Sequence, residues 1–290
     1  MWMSLIYGKV FAGTAFRLWV LSVTHSNPDC GDRLSADIGA SYRRDGFIRL
    51  RSLLDANEVL RFGKEITRLT LELNTQTKPL AERTTYDKAF LQVMNLWRNS
   101  ETVKRFVFSR KLAKIAARLM SVRRVRIYHD QSLYKEPSGG MTPAHADQYY
   151  WPFASDQAIT AWIPLQPVPL EMGPLAFYRG SHHTNFGRDL PISDESEQQI
   201  STAMEDYGFD IDESPYELGD VSFHGGWTFH RAGANRSSQP RSVMTIIYMD
   251  AEMRIGQPKN SMQRNDLLHW FPGLSPGDLA ASELNPIIDV

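Results

Sequence analysis

The residues that could do chemistry are few, and their spacing is informative. His145-Ala146-Asp147 sets an imidazole and a carboxylate two positions apart, and on a β-strand such residues share a face. His230 lies far downstream, so it must reach the same place from another strand. Two imidazoles and one carboxylate on one face of a metal leave the opposite face open, the ligand set of non-haem Fe(II) oxygenases. Arg241 follows His230 by eleven positions, enough for the chain to turn and return on a neighbouring strand. Its planar fork matches a carboxylate through two parallel hydrogen bonds, which suits the far end of a dicarboxylate cosubstrate. Tyr149, Trp151, Phe153, Trp227 and Phe229 flank these groups and could line an apolar pocket, although aromatic rings beside barrel strands more often fill a core.

Other chemistries have little to stand on. Cys30 is the only cysteine, which excludes an intramolecular disulfide, a Cys-based zinc site and an iron–sulfur cluster, and fits a reducing, cytoplasmic setting. There is no Gly-x-Ser-x-Gly elbow to carry a hydrolase nucleophile. Ser138-Gly139-Gly140 has no helical pattern after it, so it reads as a turn and not a phosphate loop. His129 and His224 read as structural histidines. His182-His183 sit at a turn where neighbouring side chains diverge, and Asp194–Glu197 reads as a solvated acidic face.

The elements that must position the triad follow from periodicity. Ser35–Asp45 and Ala56–Leu73 carry helical spacing, with Val59, Leu60, Ile66, Leu69 and Leu73 recurring at three to four residues in the second. Asp55 is placed to cap it, with Glu58 three residues on as in a capping box. Phe47–Leu50 reads as a short strand, and Glu101–Phe108 and Lys111–Met120 as helices. After Ser121 the pattern changes to short strands bounded by Gly, Pro or Asn: Val122–Tyr134, Ala158–Leu165, Leu175–Tyr178, Val221–Phe223, Thr228–His230 and Val243–Met249. Helices followed by such a series predict a sandwich or barrel behind a helical first third. The polar stretch 180–218 reads as an insertion that could lie over one mouth of the barrel.

Composition is consistent with a globular chain. Of 290 residues 42% are hydrophobic and 22% charged, as in ordinary globular proteins. Seven Trp, eleven Tyr and fourteen Phe are enough aromatic mass for a large core. A balance of 32 basic against 33 acidic side chains leaves no electrostatic footprint for nucleic acid or an anionic membrane. Residues 1–34 read as a poorly defined N-terminal extension: Arg17 interrupts the opening apolar run, which is too short to span a bilayer. Residues 35–290 then read as a single domain.

From about Gly46 to Met249 the chain resembles the phytanoyl-CoA dioxygenase family of Fe(II)/2-oxoglutarate-dependent oxygenases. The likeness is carried by Tyr134-Lys135-Glu136-Pro137, Thr142-Pro143-Ala144-His145-Ala146-Asp147, Thr160-Ala161-Trp162-Ile163-Pro164-Leu165, Met172-Gly173-Pro174-Leu175 and Gly180-Ser181-His182. It continues through Gly219-Asp220, His224, His230, Asn235 and Arg241. The resemblance implies a mainly β fold, a double-stranded β-helix (jelly roll, cupin-like) preceded by N-terminal helices. It implies His145, Asp147 and His230 as iron ligands, Arg241 as the residue binding the cosubstrate carboxylate, and Fe(II), 2-oxoglutarate and O2 as cofactor and cosubstrates. The expected reaction oxidises an unactivated C–H bond of a small, largely apolar molecule, with release of succinate and CO2. Because Asp147 is present, halogenation, whose enzymes lack that carboxylate, is disfavoured.

Two positions depart from the family pattern. Ala232 stands where a serine often helps to hold 2-oxoglutarate, which leaves a second donor to be found; Gln131 and Thr160 are the candidates. Arg179 replaces a frequent proline before Gly180. Two other readings of the same residues are a non-catalytic jelly-roll ligand-binding protein with a vestigial metal site and a cupin-like metalloenzyme that does not use 2-oxoglutarate. A small molecule is the expected partner, with no nucleic acid and no stable membrane insertion; the sequence does not specify an oligomeric state.

Overall fold

The computed structural model describes residues 36–289, so the expectations for residues 1–34 and for Ser35 lie outside the described residues. The first helices form where the apolar stripes run. α1 spans Ala36–Asp45 and leads into strand β1, Phe47–Leu50; α2 spans Ala56–Leu73. The Asp55 side chain accepts from the Glu58 amide at 2.9 Å, a cap worth about 1 kcal/mol. Short α3 (Thr85–Ala89) and β2 (Leu91–Met94) come next, then α4 (Glu101–Val107) and α5 (Arg110–Met120). Leu112, Ile115, Ala116 and Leu119 on α5 are all buried.

The β region follows the turn residues in outline. The strand expected over Val122–Tyr134 begins at Val125, however, and the one expected over Thr228–His230 runs His230–Ala232, because the turn after Gly225 extends to Phe229. The region comprises β3 (Val125–Lys135), β4 (Thr142–His145), β5 (Ala158–Pro164) and β6 (Leu175–Tyr178). Helix α6 (Asp194–Asp206) and strand β7 (Ile211–Asp212) occupy the insertion. Then follow β8 (Val221–Gly225), β9 (His230–Ala232), β10 (Arg241–Asp250), helix α7 (Ser261–Trp270) and β11 (Ile287–Ile288).

These strands form two sheets, a major one ordered β1-β8-β5-β10-β3-β11 with β2 also on β3, and a minor one ordered β4-β9-β6-β7. Every pairing is antiparallel. The crossed strand order, with sequence neighbours often in opposite sheets, is that of a jelly roll.

Strand alternation decides which side chains meet. On β10, Met244, Ile246 and Tyr248 face the helices and join Val59, Ile66, Leu112 and Ile159 in the main core. Arg241, Thr245 and Ile247 on the same strand face the space between the sheets. On β5, Ile159, Ala161 and Ile163 pack toward the helices while Thr160 and Trp162 point inward. The helices thus seal the outer face of the major sheet, and each fully buried aliphatic side chain there contributes about 1.5–3 kcal/mol. Among the described residues no helix is long and apolar enough to cross a membrane.

Candidate metal centre and active site

His145 and His230 come together because they are direct cross-strand partners on β4 and β9; their ring centroids are 4.3 Å apart. Asp147 arrives differently from the strand geometry expected of His-x-Asp. β4 ends at His145, and Asp147 opens a single 3-10 turn, Asp147–Tyr149. The Gln148 amide donates to the Gly226 carbonyl at 2.9 Å and pins that turn. The carboxylate is thereby swung between the two imidazoles, with Asp147 Oδ1 3.7 Å from His145 Nε2 and 3.6 Å from His230 Nε2. One ligand atom from each of the three lies within 4.8 Å of the others.

The surroundings leave each of these atoms free to bind a metal. His145 Nδ1 is 2.7 Å from the Pro143 carbonyl and His230 Nδ1 is 2.9 Å from the Thr228 carbonyl. A carbonyl can only accept, so each Nδ1 carries the proton and each Nε2 presents a lone pair, as in metal-binding histidines generally. Burial lowers both imidazoles to about 4, and on His145 the neighbouring His230 adds to the effect, so both are neutral at pH 7. Burial by itself would raise the Asp147 carboxyl; the imidazoles of His230, His224 and His145 around it, His224 through a hydrogen bond, outweigh that and hold the carboxyl well below the usual range, so Asp147 is ionised.

Asp147 Oδ2 is held from the major sheet. The Thr160 hydroxyl donates to it at 2.9 Å and His224 Nε2 lies 3.1 Å away. Thr160 and His224 are cross-strand partners on β5 and β8, so one rung of that sheet orients the carboxylate and turns Oδ1 toward the imidazoles. The donor set, two neutral nitrogens and one oriented anionic oxygen, suits Fe(II).

These groups line one cavity of about 450 Å³, room for a drug-sized molecule. Arg241 lines it too and is fully buried. Its NH1 donates to the Gly173 carbonyl and its Nε has no partner. It pairs with no carboxylate among the described residues, and burial lowers it only to about 10, so it remains a guanidinium. A buried cation with no counterion, facing a cavity, is matched by an anionic ligand.

Gln131 also lines the cavity, its amide oxygen accepting from Gln92 at 2.8 Å. The cavity thus brings together all six residues singled out in the sequence, with Thr160 spending its hydroxyl on Asp147. Of the flanking aromatics Trp151 lines the wall, whereas Phe153 and Phe229 pack into neighbouring clusters.

Two groups escaped the sequence reading. His224, set aside as structural, touches the metal-binding carboxylate; the polar alternation Ser222–His224 in an otherwise buried strand was the available signal. Thr142 lines the cavity with a buried hydroxyl that has no partner, and its cross-strand neighbour is Ala232. The hydroxyl missing from β9 is therefore present on β4, one rung across.

Comparisons with known proteins agree with this architecture. The family model for phytanoyl-CoA dioxygenase (PhyH) matches residues 42–243. A Danio rerio protein, phytanoyl-CoA dioxygenase domain-containing protein 1, is 25% identical over 177 residues, 59% of this chain and 60% of that protein's length. The crystal structure of the epimerase SnoN from nogalamycin biosynthesis, in complex with Fe3+, alpha ketoglutarate and nogalamycin RO, superposes with a TM-score of 0.72 at 27% identity, covering 87% of this chain and 98% of SnoN. The non-heme alpha ketoglutarate dependent carbocyclase SnoK superposes with a TM-score of 0.73 at 26% identity, covering 90% of this chain and 99% of SnoK. With the family model running from α1 to the start of β10 and containing all three candidate ligands and Arg241, the chain belongs to the phytanoyl-CoA dioxygenase family of Fe(II)/2-oxoglutarate-dependent oxygenases.

Proposed function

We propose that the protein is an Fe(II)/2-oxoglutarate-dependent oxygenase that oxidises a C–H bond of a small, largely apolar organic molecule. The observation that carries the reading is the joint presence, in one cavity, of the His145–Asp147–His230 cluster and a buried guanidinium, Arg241, that has no carboxylate partner. A metal site without such a cation would suit a cupin-like enzyme equally well.

His145 Nε2, Asp147 Oδ1 and His230 Nε2 would hold the iron, which when bound supplies the O2 chemistry that couples decarboxylation of 2-oxoglutarate to oxidation of the substrate. Arg241 would receive the remote carboxylate of the cosubstrate, with the Thr142 hydroxyl beside the Ala232 position as a second donor. Thr160 and His224 keep Asp147 Oδ2 occupied, so that this carboxylate offers one oxygen and does not swing. Leu133, Leu175, Trp162 and Ile247 line the walls and exclude water from the reacting end. Succinate and CO2 are the expected coproducts. SnoN is an epimerase and SnoK a carbocyclase, so hydroxylation is one of several outcomes that this scaffold accommodates.

The test is an anaerobic titration of the protein with Fe(II) and 2-oxoglutarate, read by the visible charge-transfer band of the chelate. The expected result is a band in the wild type and none in Asp147→Ala, with succinate formed on exposure to O2. Bound iron without a band would overturn the 2-oxoglutarate reading in favour of a cupin-like metalloenzyme.

A further inference from the structure

Most polar groups lining the cavity already have a task. The triad takes the metal, Thr160 and His224 hold Asp147, Arg241 and Thr142 face the cosubstrate, and Tyr86, Gln92 and Gln131 bond one another in a chain. One carboxyl is left over. Asp266 lies on α7 and lines the cavity, and among the described residues no cation lies within ion-pairing distance of it. Its Oδ2 accepts from the Tyr128 hydroxyl at 2.5 Å, which fixes the group in place. Burial pushes it up to about 6, against hydrogen bonds from Tyr128 and Trp270 and the more distant charge of His269, which lower it.

Helix α7 is itself fastened to the metal-binding turn. Asn260, its cap, and Gln263 both donate to the Tyr149 carbonyl, at 3.1 and 3.0 Å, and Tyr149 closes the 3-10 turn that Asp147 opens. Burial raises the Tyr86 phenol, and the charges of Asp147, Asp87 and Asp266 add to the effect, so both cavity carboxylates lie close enough to act on that ring. The wall near them is aromatic, with Tyr86, Phe90, Tyr150 and Trp151 all lining the space.

Among the described residues the only Lys or Arg lining the cavity is Arg241, so an anionic substrate would meet two carboxylates and no free cation. A carboxylate without a counterion, set among aromatic rings, is matched by a weakly hydrated ammonium group. We propose that the cavity takes a substrate bearing a cationic nitrogen, a protonated tertiary amine or a quaternary ammonium, and that Asp266 on α7 anchors that ammonium among the aromatic rings while an apolar part of the molecule faces the triad. This rests on the oxygenase reading of the same cavity, since it presumes that the metal and the cosubstrate fill the other end.

The experiment uses choline and its neutral isostere 3,3-dimethylbutan-1-ol as probes. Each is titrated into the protein loaded anaerobically with Fe(II) and 2-oxoglutarate, and binding is followed by the change in tryptophan fluorescence, since Trp151 and Trp162 line the cavity. Choline should bind about tenfold more tightly than the alcohol, and Asp266→Asn should remove that preference while changing the affinity for the alcohol less than about twofold. Tyr128→Phe, which keeps the carboxylate, should retain the preference, so a folding defect in Asp266→Asn does not decide the matter. Equal affinities in the wild type, or a preference that survives in a folded Asp266→Asn, would overturn the proposal. The chelate band is recorded in the same samples. A choline preference lost in Asp266→Asn supports the anchor with or without the band, whereas an absent band overturns the oxygenase reading alone.

Discussion

Thr160→Val separates two roles that the cavity allows for one hydroxyl. The sequence offers Thr160 as a donor to 2-oxoglutarate; the structure has its Oγ1 donating to Asp147 Oδ2 at 2.9 Å. Valine keeps the shape of a side chain only 3% exposed and deletes the donor. A hydrogen bond to an ionised group contributes about 1.5–3 kcal/mol. His224 still holds the same oxygen at 3.1 Å, so the lower end applies, and about 1.5 kcal/mol corresponds to roughly tenfold weaker metal binding. Losing both donors, in Thr160→Val with His224→Phe, should approach about a hundredfold. The assay is anaerobic Fe(II) titration against a competing chelator, followed by a 2-oxoglutarate titration at saturating iron. Thr160→Val should weaken the first and leave the second near wild type, and Thr160→Ser should restore the first. Metal affinity within twofold of wild type, together with a raised 2-oxoglutarate requirement, would refute the argument and return Thr160 to the cosubstrate.

Three further outcomes are expected. Thr142→Val should raise the 2-oxoglutarate requirement about tenfold at unchanged metal affinity, and adding Ala232→Ser should recover much of it, since the two positions face each other across one rung; calorimetric titration with 2-oxoglutarate reads both. Gly173 has φ +66° and an added Cβ would stand 2.1 Å from the Gly233 carbonyl oxygen, so Gly173→Ala should cost at least about 2 kcal/mol and lower Tm by about 4–8 °C. It should also disturb cosubstrate binding, because the Gly173 carbonyl holds Arg241. His145 and His230 titrate near 6.5 as free side chains and near 4 in the fold. The unfolded chain therefore binds more protons at these two rings between those values, and they should cost the metal-free protein stability as pH falls from 6.5 toward 4. Asp130 and Asp266, raised to about 7 and about 6 by burial, act in the opposite sense. The check is therefore that His145→Asn with His230→Asn loses less Tm on acidification than the wild type; an equal loss would contradict the burial of the two rings.

Much of the helical scaffold was legible because its signal is local. The apolar stripe of α2, the Asp55 cap and the buried face of α5 each depend on residues within a turn or two of one another, and the strands were bracketed by their own turn residues. The short α3, β2 and β11 carried too few residues to show a period. The Asp147 turn was misjudged for a different reason: alternation assumes that the strand continues, and what ends β4 at His145 is the bond from Gln148 to Gly226, contributed by a segment remote in sequence.

The triad itself was legible as residue types, but the groups that make it work are related only by register. His145 faces His230, Thr160 faces His224 and Thr142 faces Ala232, each pair joining strands that are distant along the chain. Reading Ala232 by itself suggests a lost cosubstrate contact, and reading Thr142 by itself suggests an unremarkable strand residue. Placed on adjacent strands, they amount to a hydroxyl moved across the ladder within the same cavity. Opposed side chains on neighbouring strands lie about 5 Å apart, close enough for the two positions to serve one ligand. A departure from a family pattern at one position is therefore weak evidence for a vestigial site until its cross-strand neighbour has been read with it.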